Sequence, residues 1–481
     1  MLFNSYVFIF LFLPIVITVY FLLQKKTSNA ISQSFLVLAS YFFYAYWNPH
    51  FLPFILISIY ANYFIGLRIS KTRSLPTLVF GIVLNLAPLL YFKYTAFLLE
   101  ISNFLFGTQF KDVSLTLPLA ISFFTFQQIA FLVDAYKALT KEYDVTSYSL
   151  FVSFFPQLIA GPIVHHKQVI SQFRSLKSRY FSKHNFILGI SYFSVGLFKK
   201  TVLADTLSRY VTNGFDNLIT LDFFEAWFAS LAYTFQLYFD FSGYSDMAVG
   251  LGLMINIAIP ENFMSPYQAR NLRDFWKRWH MTLGAWLRDY IYVPIGGNRL
   301  GALRTARNLF ITFLIGGIWH GAGINFVIWG ALHGIGVSAH LPLSRLRISI
   351  PKVVSIALTF FYVHICWVFF RSKSFERAVD LVSSLFGING FNLPKNVDRI
   401  LGIPHLPDEK PWISLIVGNE SNKYLLIYLV VSASICFFLP NTRAFLTNIK
   451  NRRYLPYFIA GLLAIGIVFI SRESEFLYFQ F

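Results

Sequence analysis

The sequence predicts an all-α polytopic integral membrane protein of about eleven transmembrane helices with re-entrant and interfacial helices besides. Three observations predict it. Of its 481 residues, 56% are hydrophobic and only 13% charged, more apolar surface than a soluble chain of this length can hide. Apolar runs near the roughly 20 residues that a bilayer-crossing helix needs recur along most of the chain. The apolar–polar alternation of a membrane β-barrel is absent, which leaves helices as the way to satisfy backbone groups in lipid.

The candidate spans are 6–24, 32–47, 51–67, 77–99, 117–136, 186–206, 224–241, 243–259, 308–319, 324–342, 353–370, 423–440 and 455–471. Some of these are expected to be broken or re-entrant, so fewer cross fully. All belong to one membrane domain, 1–481. The first run lacks a basic leading region and a small-residue cleavage site, so it reads as a retained span. Lys25 and Lys26 follow it, which places that loop in the cytosol and the N-terminus outside.

The net charge of +18 sits in short loops between apolar runs. That is the positive-inside pattern, so nucleic acid is not an expected partner, and anionic lipid or an anionic substrate fits instead. Cys366 and Cys436 lie in apolar runs with no paired spacing, which argues against a disulfide scaffold or a thiol nucleophile. No internal repeat is visible, which tells against an inverted-repeat transporter.

Three stretches interrupt the apolar pattern. "FFPQLIAGPIVHH", 154–166, carries two prolines and a glycine and predicts a re-entrant or bent segment. Residues 387–422 are polar and contain proline, as in a surface loop. Residues 262–307 are basic and aromatic, too charged for an ordinary span. There Arg273, Lys277, Arg278, Arg288 and Arg299 interleave with Trp276, Trp279 and Trp286. A helix lying at the interface suits this stretch, with tryptophans at headgroup level. Arg273, Lys277 and His280 are spaced by four and three, which puts them on one helical face as an anion site. Plain membrane anchoring accounts for the same pattern.

Polar groups inside apolar runs raise the question of chemistry. Gln236, Asp240 and Asp246 fall in "YTFQLYFDFSGYSDMAVGLG", and intramembrane acids need partners. The basic stretch is the expected source; a structural ion pair is the plainer account of each acid. His320 lies in "GGIWHGAG", among glycines that loosen a helix and admit close approach. A neutral imidazole there suits a general base, although a lone buried histidine is more often structural. On one continuous helix His333 would lie about 20 Å from it.

No GxSxG, HExxH, P-loop or GxGxxG motif occurs, nor a histidine followed by aspartate after four residues. The His165–His166 pair shows no convincing set of metal ligands in sequence, so no metal is expected. An enzyme of this kind would use histidine as base, with no covalent serine or cysteine intermediate.

Taken together in order, the motifs resemble the membrane-bound O-acyltransferases, and within them the group of the bacterial alginate O-acetyltransferase membrane subunit. They are "LFNSYVFIFLFLP" at the start, "LPLAISFFTFQ", "FFPQLIAGPIV", "FDFSGYSDMAVGLG", "FWKRWHMTLGAWLRDYIYVPIGGNR", "RNLF", "GGIWHGAGINFVIWGALHG" and the ending "EFLYFQF". The resemblance implies a ring of tilted helices around a central funnel. It implies His320 as the active-site histidine and His280 as the second conserved polar position. It implies a cytosolic acyl donor, acetyl-CoA, with no permanently bound cofactor. It implies an extracytoplasmic polysaccharide acceptor reached through a separate acetyltransferase partner, in the bacterial inner membrane. Arg273, Lys277, Arg278, Trp279, Arg288, Asp289, Trp319 and His333 are the candidate donor-binding or supporting residues. Peptidoglycan O-acetylation and teichoic-acid D-alanylation are the neighbouring activities. A transporter, or a scaffold indifferent to His320, stands as the alternative from another class.

Overall fold

The computed structural model describes residues 1–481 except 112, 114, 141–142, 176–178, 217–219, 344–348, 392–421, 450–452, 471–476 and 478–481. The expected surface loop 387–422 and the closing motif "EFLYFQF" therefore lie largely outside the described residues. Among those described, the regular structure is helical throughout.

Six described helices, continued where one runs on into the next, are long and apolar enough to cross a membrane: Phe8–Lys26, Pro49–Thr72, Leu75–Phe106, Lys183–Asp216, Ile324–Pro342 and Lys352–Arg371. The pair Tyr424–Phe438 and Thr442–Ile449, bent by 76°, makes a seventh if it is one span. In chain order the helices are α1 (Leu13–Lys26), α2 (Asn29–Ala45), α3 (Leu52–Thr72), α4 (Leu75–Phe106), α5 (Ile121–Tyr136), α6 (Val145–Ser153), α7 (His166–Arg174), α8 (Lys183–Phe198), α9 (Asp205–Asp216) and α10 (Phe223–Met254). They continue with α11 (Leu272–Trp276), α12 (Met281–Leu287), α13 (Ala302–His320), α14 (Ile324–Leu343), α15 (Lys352–Arg371), α16 (Phe375–Leu385), α17 (Asn422–Phe438), α18 (Thr442–Ile449) and α19 (Leu455–Val468). The chain is a multi-pass membrane protein. Large apolar side chains such as Phe104, Leu303 and Val468 stay exposed, as a lipid-facing surface allows.

Two contacts fix the frame around the site. Helices α8 and α10 run antiparallel with glycine against glycine. A Cβ on Gly196 would come 2.5 Å from the Gly243 carbonyl oxygen, and one on Gly189 would come 2.6 Å from that of Gly250. Small residues let membrane helices approach this closely, because no hydrophobic force drives helices together in lipid. A π-helical turn, Lys199–Ala204, then joins α8 to α9. Helices α13 and α14 form the second antiparallel pair, with Ser338 Oγ donating to the Ala306 carbonyl at 3.0 Å and Gly334 packed on Phe310.

The segment 154–165 behaves as its prolines require. After α6 comes a single turn, Phe155–Leu158, then non-helical backbone that is buried up to Val164. Its polar groups are met from inside the protein: Phe155 N–H donates to Ser40 Oγ at 3.1 Å, and Ile163 N–H to Thr282 Oγ1 at 2.9 Å. Irregular backbone at membrane depth survives only when protein satisfies it in this way.

The basic-aromatic stretch departs from expectation. It is not one interfacial helix. α11 ends at Trp276, His280 takes a left-handed conformation (φ 43°), and α12 starts after it, followed by a π-turn over Arg288–Tyr292. The break separates the residues whose spacing suggested a shared face: Arg273 and Lys277 are exposed and His280 is buried. The tryptophans turn inward too. Trp279 packs on Trp367 with ring centroids 4.9 Å apart, and Trp286 donates from Nε1 to the Phe126 carbonyl at 2.9 Å. A buried indole N–H needs an acceptor, and the fold supplies one.

Candidate active site

His320 is the last residue of α13. The helix stops there because Gly321 turns to extended backbone, and a Cβ at Gly321 would run into the Phe326 ring. A helix C-terminus leaves carbonyls without intrahelical partners. Here α4 supplies them: Lys93 Nζ donates to the carbonyls of Trp319 (2.6 Å) and His320 (2.9 Å), and Tyr94 O–H to that of Ile318 (2.6 Å). The His320 backbone is thereby pinned by two side chains that the sequence reading did not single out. Lys93 sits inside an apolar run, where a single cation carries no motif.

The imidazole of His320 is buried against Trp319, Trp329 and Phe370, with ring centroids 4.8, 5.1 and 5.2 Å away. It lines a cavity of about 250 Å³ with Lys93, Trp47, Ser122, Phe123 and Trp319. The chain break at Gly321–Gly323 folds α14 back, so His333 lies on the other side of Trp329, 4.9 Å between rings. The separation expected for one continuous helix does not apply. His333 Nδ1 accepts from Trp276 Nε1 at 3.2 Å, which places its proton on Nε2. It supports the aromatic wall of the site.

His280 lies in a connecting stretch outside the spanning helices. Its Nδ1 is 3.2 Å from Asn262 Oδ1, and that oxygen also accepts from Thr282 N–H (3.2 Å) and Thr282 Oγ1 (3.0 Å). With Oδ1 as the acceptor, the imidazole proton sits on Nδ1 and Nε2 keeps its lone pair. Burial pushes this imidazole down to about 3, so it is neutral at physiological pH. Asn262 and Thr282 are neighbours of His280 that sequence spacing could not identify.

The remaining candidates separate. Trp319 stacks on Phe126 (4.8 Å), which stacks on Trp286 (3.7 Å), so an aromatic column runs from His320 toward Tyr290. Arg278 is tied to Asp274 at 2.8 Å, and Arg288 to Asp289 at 2.7 Å on the surface. Arg273 and Lys277 are exposed. None of these four cations lines the His320 cavity.

The acids pair differently from the sequence expectation. Lys200 Nζ is 2.6 Å from Asp240 and 2.7 Å from Asp205, and Lys199 Nζ is 2.7 Å from Asp246. The cations come from the π-turn after α8, not from the basic stretch, because α8 and α10 are the helices in glycine contact. Leu477 N–H also donates to Asp240, at 3.2 Å.

One further polar cluster was missed. Asp134 Oδ2 receives His165 Nε2 (2.6 Å), His166 Nε2 (2.9 Å) and Tyr290 O–H (3.0 Å). These three acid and imidazole groups are the set among the described residues that could hold a metal ion. Their convergence on a single oxygen is the arrangement of a hydrogen-bonded carboxylate.

A histidine at a broken helix end, fixed through its carbonyl and facing a small cavity inside a helical membrane protein, can exchange a proton with a group bound in that cavity. The model of the membrane-bound O-acyltransferase family matches residues 134–373. The chain belongs to that family and is an acyltransferase.

Among curated relatives, it is 41% identical to the peptidoglycan O-acetyltransferase of Helicobacter pylori, over 100% of this chain and 98% of that protein. It is 40% identical to the probable alginate O-acetylase of Pseudomonas aeruginosa, over 82% of this chain and 76% of that one. The teichoic acid D-alanyltransferase of Bacillus subtilis is 24% identical over 54% of this chain and 70% of that protein.

Proposed function

We propose that this chain transfers an acetyl group from acetyl-CoA on the cytosolic side to an extracytoplasmic polysaccharide, working with a separate acetyltransferase partner. The observation that carries the reading is His320, buried at the pinned end of α13 and open to a cavity of about 250 Å³. Match over the full length of a peptidoglycan O-acetyltransferase favours peptidoglycan as the acceptor polymer, with an alginate-type polymer next. In this reading the N-terminus is outside, the membrane is the bacterial inner membrane, and further helices beyond the six or seven long, apolar ones bring the crossings to about eleven around a funnel.

The thioester is already activated, so a base and an oriented acceptor suffice. His320 takes the proton of the attacking hydroxyl as the new C–O bond forms. The tetrahedral intermediate then collapses, the C–S bond breaks, and the departing thiolate takes that proton back. His280, neutral with a lone pair on Nε2, orients the donor from the buried side. The exposed Arg273 and Lys277 serve the donor's phosphates at the cytosolic mouth.

The test follows labelled acetyl from acetyl-CoA in membranes carrying the chain and its partner. Alkali-labile ester that forms with the intact chain and disappears with His320→Ala is the expected result. Equal transfer by both would remove His320 from the mechanism. No consumption of acetyl-CoA by either would point to another acyl donor.

A further inference from the structure

We infer that Lys93 is a second catalytic residue of this site, and that its ammonium binds the oxygen of the acyl carbonyl as negative charge develops there. The inference rests on the acyl-transfer reading of the His320 cavity.

Lys93 sits in the middle of a long apolar helix, where a charge is expensive and marks function by default. Among the described residues no carboxylate lies within ion-pair distance of it, unlike Lys199 and Lys200. Its partners are two carbonyls, of Trp319 and His320, and the Trp319 ring, whose centroid is 5.9 Å away. An ammonium has three donors. Two are used on the end of α13, and Lys93 itself lines the cavity that His320 lines. In the protonated form a third hydrogen has no acceptor among the described residues, and the nitrogen that carries it is held by the same backbone that carries the proposed base. The negative end of the α13 dipole holds the ammonium in place without neutralising a full charge.

The chemistry gains from such a group. When the acceptor oxygen bonds to the thioester carbon, the C=O π electrons move onto oxygen, and the hydroxyl proton passes to His320. The site then holds an oxyanion in surroundings of Trp, Phe and Ile side chains. A preorganised cation there lowers the barrier more than it would in water. As the C=O re-forms, the C–S bond breaks, and Lys93 returns to its resting contacts with no net proton transfer. One fixed cation thereby serves both the helix end and the transition state.

The experiment must separate the helix cap from the charge. Lys93→Gln keeps an N–H donor for the two carbonyls and removes the charge; Lys93→Arg keeps the charge. In the labelled acetyl-CoA assay, with the full chain and its partner, Lys93→Gln is expected to lower kcat by about 10²–10³-fold with little change in KM. Lys93→Arg should retain at least about tenfold more activity than Lys93→Gln. Lys93→Gln within about threefold of the intact protein, or Lys93→Arg no better than Lys93→Gln, would overturn the inference and leave Lys93 as a cap. Thermal unfolding of both variants in detergent checks that each is folded. His320→Ala run in parallel separates the two readings: transfer without His320 sinks the base, while a dead His320→Ala beside a fully active Lys93→Gln sinks only Lys93.

Discussion

Among the described residues, half-buried Lys199 with buried Lys200, and half-buried Lys93, stand inside the helical frame and are used in opposite ways. Lys199 and Lys200 are matched by carboxylates from α9 and α10, at 2.6 to 2.7 Å. Among the described residues Lys93 meets only carbonyl oxygens and an aromatic ring. The first set joins helices whose glycines are already in contact. The second stands at the edge of a cavity beside His320. A paired charge inside a membrane protein has its field cancelled locally and contributes geometry. An unpaired one keeps its field for whatever enters the cavity.

The sharpest break in that comparison is chemical on one side and structural on the other. His320→Ala should lower acetyl transfer by about 10²–10⁴-fold and leave the thermal midpoint near that of the intact chain, as read by the labelled ester and by unfolding in detergent. Lys200→Met should do the reverse. It strands Asp240 and Asp205 without their cation, and breaking a buried pair costs about 3–5 kcal/mol. The measurable result is a large loss of folded protein, and Lys200→Met with normal yield and midpoint would mean the pairing is dispensable.

A smaller effect is expected at His280. Its folded value is depressed to about 3 by burial, below the 6.5 of an unperturbed imidazole. The unfolded chain therefore binds the proton first, so this group's contribution to stability is full above pH ~6.5 and is lost as pH falls toward 3. His280→Asn, an amide in the same site, should flatten the dependence of the unfolding midpoint between those pH values. An unchanged slope would show that other groups set it. At the far end, Arg288→Ala removes an exposed pair with Asp289 and should change stability by less than about 1 kcal/mol. Any larger effect on KM for acetyl-CoA than on the midpoint would place Arg288 at the donor.

Much of the candidate site could be read from the chain. His320 and His280 stand in motifs, and the prolines of 154–166 announced a non-helical segment that the fold buries and satisfies. Asp240 and Asp246 were visible as costly groups, but their partners were not. The lysines at 199 and 200 look like the ordinary basic end of a span, and only the α8–α10 glycine contact brings them to the acids. The spacing of Arg273, Lys277 and His280 misleads because it assumes a continuous helix, whereas α11 ends at Trp276 and His280 follows in a left-handed conformation before α12. Asp134 lies 31 residues before His165, and nothing local links them.

By itself the sequence determined the solvent of this protein, its helical class and its family, because hydropathy and ordered motifs are properties of neighbouring residues. Only the tertiary structure decided which charges cancel and which do not. That outcome depends on distances between helices far apart in the chain, and Coulomb energies in a low-dielectric interior vary steeply with those distances.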